Sequence, residues 1–314
     1  MKRLLLLTAA LLLGSLAHSQ EADDRGSLAE VTFVARAEYS SYDDECHYLG
    51  NSSFYAFVDG ELSDNLSYSA CLHLLGSDPA YLYQGTLRSD QTNWLDWAYL
   101  TYEFGQFSVE LGKNPIKWGA FEMQKDDVDS WYELASTTWN ETVVYQWGGT
   151  LGWSPSESTY LGVQMTTSPY GEKPFGSGLW AWSLSGMWEG DALSVLGSLN
   201  SMQYDGGSDN RGNVGVRAFA GDFTFTLDNS LSFAEGAPTQ HQLSACWTPS
   251  EKISLTGLAG YDRFASDLLE DRIYGGLVGC WNPFENLRVH ALAAYDTWYE
   301  SPLLNIGVTW RITL

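Results

Sequence analysis

The sequence predicts an all-β protein, a transmembrane antiparallel β-barrel of about 16 strands with short periplasmic turns and longer extracellular loops. Three observations predict it. Apolar and polar residues alternate with period two along most of the chain, the links between those stretches alternate between short and long, and aromatic residues cap the apolar faces at both ends.

The N-terminus stands apart from this pattern. Lys2 and Arg3 precede an almost unbroken apolar run from Leu4 to Leu13, and small residues around Ala17 and Ser19 suit cleavage. Residues 1–19 are expected to be a secretory signal peptide, too short in its apolar part to span a bilayer. Residues 20–314 are expected to form the barrel. Loss of Lys2 and Arg3 takes the formal charge from -23 down by two.

The strands follow from the alternation. Val31, Phe33, Ala35, Ala37 and Tyr39 are apolar, with Thr32, Arg36 and Glu38 between them. The same pattern runs from Val143 to Trp153 and from Leu304 to Leu314. Period two means strands with one apolar face, and no helical stripe of three turns interrupts them. Short links are expected near Asp59-Gly60, Gly105-Gln106, 154–158, 189–191, Gly221-Asp222, 248–251 and 282–286. Longer links fall near 40–52, 76–92, 114–141, 169–177, 204–211, 235–239, 265–270 and 299–302. An even strand count, tight inner turns and long outer loops are the layout of a membrane barrel.

Aromatic placement agrees. Trp153, Trp188, Trp247 and Trp281 each end a strand before a short link, on its apolar face, and Phe104 and Trp310 sit similarly. Tyr39, Trp180, Tyr261 and Tyr295 occupy the opposite ends. Trp and Tyr favour the headgroup level on both sides of a bilayer. The alternative class is a secreted soluble β-protein that binds carbohydrate through surface Trp residues.

Polar strand faces then become the wall of a pore. Arg36, Arg217, Arg288 and Arg311 are expected to point inward with Glu110 and His290, because a charge on the lipid face costs about 2–4 kcal/mol at the midplane. The longest link, 114–141, is expected to fold into the lumen as a constriction. It carries Lys117 and Lys125, with Lys113 at the preceding strand end, so three of the five lysines beyond the signal peptide gather there. Asp126 and Asp127 stand among the opposing acids, and Lys113 to Glu141 holds three basic and six acidic side chains. Charged groups at a constriction set ion selectivity by their field. Lys113 and Lys117 pointing inward would mark an anion-leaning pore; Asp126, Asp127 and Asp129 pointing inward would mark a cation-leaning one.

The stretch from Thr92 to Glu122, with Gly112-Lys113, Trp118-Gly119 and Phe121-Glu122, resembles the phosphate-selective porin family of O and P type. The similarity covers roughly residues 92–141. It implies a sixteen-stranded outer-membrane barrel of a Gram-negative-type bacterium, usually a homotrimer, that passes small anions such as phosphate. It also implies that arginines along the pore and lysines at the constriction set that preference. The function expected is therefore a passive water-filled channel for small hydrophilic solutes or ions, with membrane lipid as its other partner.

Composition narrows the remaining classes. Disorder is excluded by 14% aromatic residues. Nucleic-acid binding is excluded by 39 acidic against 16 basic side chains. Catalysis is not expected: the five His (18, 47, 73, 241 and 290) match no hydrolase spacing. Nor is a cofactor or metal expected, since Cys46, Cys71, Cys246 and Cys280 show no ligand spacing and no Gly-rich nucleotide motif occurs.

Overall fold

A computed structural model describes residues 29–42, 45–48, 53–75, 95–125, 134–171, 173–233, 238–264, 270–298 and 300–314. The expected signal peptide, Asp126, Asp127 and Asp129 lie outside the described residues. Strands β1 (Glu30–Tyr42), β2 (Glu45–Tyr48), β3 (Ser53–Ser63), β4 (Leu66–Leu75), β5 (Leu95–Phe104), β6 (Phe107–Pro115), β7 (Tyr145–Ser156) and β8 (Thr159–Thr167) form the first half. The second half comprises β9 (Trp180–Glu189), β10 (Leu193–Tyr204), β11 (Gly207–Ala220), β12 (Phe223–Ser232), β13 (Thr239–Ser250), β14 (Ile253–Arg263), β15 (Arg272–Phe284), β16 (Leu287–Asp296) and β17 (Ser301–Thr313).

Apart from β2 and β3, which both pair with β1 and not with each other, each strand pairs antiparallel with its sequence neighbours, and β1 pairs with β17 from Thr32↔Thr313 to Tyr42↔Leu303, which closes the sheet on itself. One half of β1 pairs with β3 and its other end with β2, so β2 and β3 act as a single interrupted stave. The wall therefore has sixteen staves, as the alternation predicts. Among the described residues closure leaves no free sheet edge, the condition for a sheet to sit in hydrocarbon.

Side-chain direction follows the pleat. Leu111, Leu151, Val163, Leu184, Leu199, Leu243, Leu277 and Ile306 are exposed on the outside, while Thr150, Gln164, Ser185, Asn200, Gln242 and Asn305 between such positions are buried inside. This inverts a soluble protein, where the apolar face is the covered one. Trp153, Trp188, Trp247, Trp281, Phe104 and Trp310 are all exposed on that outer surface near the short-turn end, and Tyr39 and Tyr295 near the other. Phe104, Phe107 and Trp153 run ring to ring at 5.7 and 6.5 Å, and Phe223 stacks on Trp247 at 6.4 Å, forming a belt.

Two connections differ from expectation. The first tight turn is Asp64-Asn65, not Asp59-Gly60: Gly60 pairs with Tyr68 inside the hairpin, so pairing of the flanking strand overrides the Asp-Gly signal. The polar run 204–211 is not a long loop. Its turn is Asp205-Gly206, with Gly206 at φ +91, and Ser208 to Arg211 are strand residues. A tight turn can take that left-handed conformation because glycine has no Cβ.

Candidate channel constriction

The lumen is narrowed by the segment between β6 and β7. From Ile116 it runs along the inner wall, forms a 3-10 turn at Phe121–Gln124, and returns through a short helix, Thr137–Glu141. Its backbone donors have left a sheet and need partners in a partly dry interior. Wall side chains supply them. The Lys117 amide donates to Gln164 Oε1 (2.8 Å), the Gly119 amide to Ser198 Oγ (2.8 Å), and Asn200 Nδ2 donates to the Lys117 carbonyl (3.1 Å). Asp228 accepts from the Phe121 amide at 2.8 Å and the Glu122 amide at 2.9 Å. Asp262 accepts from the Thr137 amide (2.8 Å) and hydroxyl (2.6 Å). Contact is close enough that a Cβ on Gly119 would lie 2.3 Å from the Ser198 backbone nitrogen.

Three polar clusters hold the returning leg. Glu122 accepts from the Ser136 amide (2.7 Å) and from Gln242 Nε2 (2.9 Å), tying both legs to β13. Arg272 pairs with Asp296 at 2.6 Å and Asp262 at 3.6 Å and donates to the Ala135 carbonyl at 3.0 Å. Arg211 pairs with Asp209 at 2.8 Å and also reaches the Thr138 hydroxyl. Apolar packing completes the anchorage: Ile116, Trp118 and Ala120 pack on Ala181 and Met202, and Leu134 joins Leu258, Tyr274, Val278 and Leu292.

The residues singled out in the sequence fall into distinct settings. Lys117 pairs with Glu110 at 3.0 Å beside an open cavity that Lys125 also lines. Arg217 lies over the Phe121 ring at 4.0 Å, so it holds the constriction segment from the wall. Arg36 is buried in an ion pair with Glu38. Arg36 and Arg288 both register against Thr309, which places them in one row of the wall. Arg311 is exposed one pleat further on, next to the β17 terminus.

Lys113 differs from expectation. It registers against Ala98 and Trp147 on β6, is only 9% exposed, and donates Nζ to the Leu95 carbonyl at 2.5 Å. Gly112, at φ +144, packs on Ala98 and breaks the regular pleat just before it. Sequence reasoning missed Arg211 and Arg272, because each stands in or beside a polar run that reads as a loop. A signal existed: each has an acid within two residues or one strand, Asp209 and Asp296.

A closed sixteen-stave barrel with an apolar outside, a polar inside and an inward-folded segment defines a porin-type channel. The chain belongs to the phosphate-selective porin O and P family, whose profile matches residues 57–236. Among solved structures it is similar to OprB of Pseudomonas putida (9% identity, TM-score 0.68, covering 90% of this chain and 94% of that one). It is also similar to OmpT of Vibrio cholerae (11% identity, TM-score 0.63, 92% and 99% covered). A substituted form of the Rh. blastica porin matches with 12% identity and TM-score 0.60 over 90% and 100% of the two chains. At those identities the likeness is one of fold. No curated protein matches the chain. The protein is an outer-membrane porin, and the soluble carbohydrate-binding alternative is not favoured.

Proposed function

We propose that the protein is a passive, water-filled pore in the outer membrane of a Gram-negative-type bacterium, without catalytic activity, admitting small hydrophilic solutes or ions. The observation that carries this is the pair of legs 116–125 and 134–141, fastened to the inner wall through Asp228 and Asp262. A fixed eyelet filters by size and field without any moving part. Lys117, Lys125, Glu110, Arg217, Asp126 and Asp127 are assigned to the constriction, and Arg36, Arg288 and Arg311 to the wall beyond it. Lys113 serves as a strut beneath the constriction rather than as an open-lumen charge, since its ammonium is turned onto the Leu95 carbonyl. Assembly as a homotrimer within membrane lipid accords with the family.

Preference for phosphate is not favoured by the charge pattern. Phosphate recognition needs cations not already neutralised. Here Lys117 faces Glu110, Arg36 faces Glu38, Arg211 faces Asp209 and Arg272 faces two carboxylates. Liposomes containing the purified protein test the reading by swelling in isotonic solutes of increasing mass. Swelling that falls steadily with solute size is expected; equal rates with and without protein would overturn it.

A further inference from the structure

A cavity of about 450 Å³ lies between the leg Pro115–Lys125 and the wall strands β5 to β10. We propose that it is a binding site for a neutral sugar ring, which would make uncharged carbohydrate a favoured solute of this channel. The proposal deepens the reading of the chain as an open pore and rests on it.

Three features of the cavity argue for this chemistry. Its volume falls within the ~300–1,000 Å³ of small-molecule sites. Its wall side is aromatic: Trp97, Tyr99, Tyr145 and Tyr160 all line it, and the Trp97 and Tyr145 rings meet at 5.4 Å with a 40° tilt. Such rings offer flat apolar faces with polar tips, suited to a solute that carries C–H faces and hydroxyls together. Among them on the same wall stands Glu110 of β6, paired at 3.0 Å with Lys117 of the leg. A carboxylate accepts and an ammonium donates, so a single hydroxyl can bridge them without either charge losing its partner.

The electrostatics point away from an anion. The Lys117 ammonium is matched by Glu110, and Lys125 lies within electrostatic reach of Asp228 on β12. A phosphate dianion entering here would have to break the Lys117–Glu110 pair and leave a carboxylate facing it, whereas a neutral ring leaves the pair intact.

Ion current through the full-length protein in a planar bilayer tests the proposal, with maltose or inorganic phosphate added at constant ionic strength. Maltose should lower the current saturably. Trp97→Ala should raise the half-blocking concentration about three- to tenfold, the worth of one aromatic contact. Heat-modifiable migration on a gel reports whether the variant folds, and Tyr160→Ala serves in its place if it does not. Phosphate should give no saturable block. Absence of block by maltose, saturable block by phosphate alone, or unchanged block in a folded aromatic variant would each overturn the sugar site. Absence of any channel current would instead overturn the pore itself, so the two failures are distinguishable.

Discussion

His290 Nε2 lies 2.7 Å from Glu38 Oε1, although their strands are separated by all of β17. Gly307 makes this contact possible. It registers between them, and a Cβ there would come within 2.5 Å of the His290 ring and 2.7 Å of Glu38 Cγ. Glu38 also accepts from Asn305 Nδ2 at 2.8 Å and pairs with Arg36. One glycine thus lets four polar side chains knit the seam where the barrel closes.

Gly307→Ala should weaken that seam. Forcing a methyl into a filled site costs about 1–3 kcal/mol. The variant should lose its folded, fast-migrating gel form at a lower temperature than the parent. An unchanged transition would mean that the seam gains nothing from the contact.

Arg272 answers two buried carboxylates, Asp262 and Asp296, while also holding the Ala135 carbonyl. Removing one partner of a buried ion pair costs about 3–5 kcal/mol, because the other charge is stranded. Arg272→Met should therefore destabilise the barrel more than Arg311→Met, whose side chain is exposed. Comparing their unfolding midpoints in denaturant checks the order.

Asp228 caps the turn of the constriction through two charge-assisted bonds, each worth about 1.5–3 kcal/mol. Asp228→Ala should loosen the first leg without dissolving the wall. Open-channel noise should rise, and larger solutes should enter liposomes that the parent excludes.

Tyr170 lies in the outer link between β8 and β9 and donates its hydroxyl to Asp209 at 2.8 Å. Partial desolvation of the phenol, and then the neighbouring Asp209 charge, hold its pKa above the ordinary 10.0. The sign follows: the fold favours the protonated phenol, so its contribution is complete below about pH 10 and is lost as pH rises through the higher native value. Stability of Tyr170→Phe should fall less steeply in alkali than that of the parent, read as thermal midpoints across an alkaline series.

The barrel was legible because its governing pattern is local. Period-two alternation and the terminal Trp residues follow from strand geometry and need no knowledge of partners. The alternation blurs near Leu95 because the register shifts between Cys71 and Leu72, opposite Trp97 and Leu95, and leaves Asp96 as an extra residue. Arg211 and Arg272 were harder to read for a different reason. Their polarity reads as exposure, yet both are buried beneath the returning leg of the constriction, by contacts across 73 and 137 positions of sequence. Inward folding of the segment could be expected from its length and aromatics; the carboxylates that fasten it could not, since Asp228 and Asp262 lie more than a hundred residues away.

Single-channel recording of the purified protein in a planar bilayer tests the central claim most directly. A pore with a fastened constriction predicts discrete, long-lived current steps of uniform size, with current proportional to voltage at small potentials. Folded protein that inserts into the bilayer and yields no steps would contradict it.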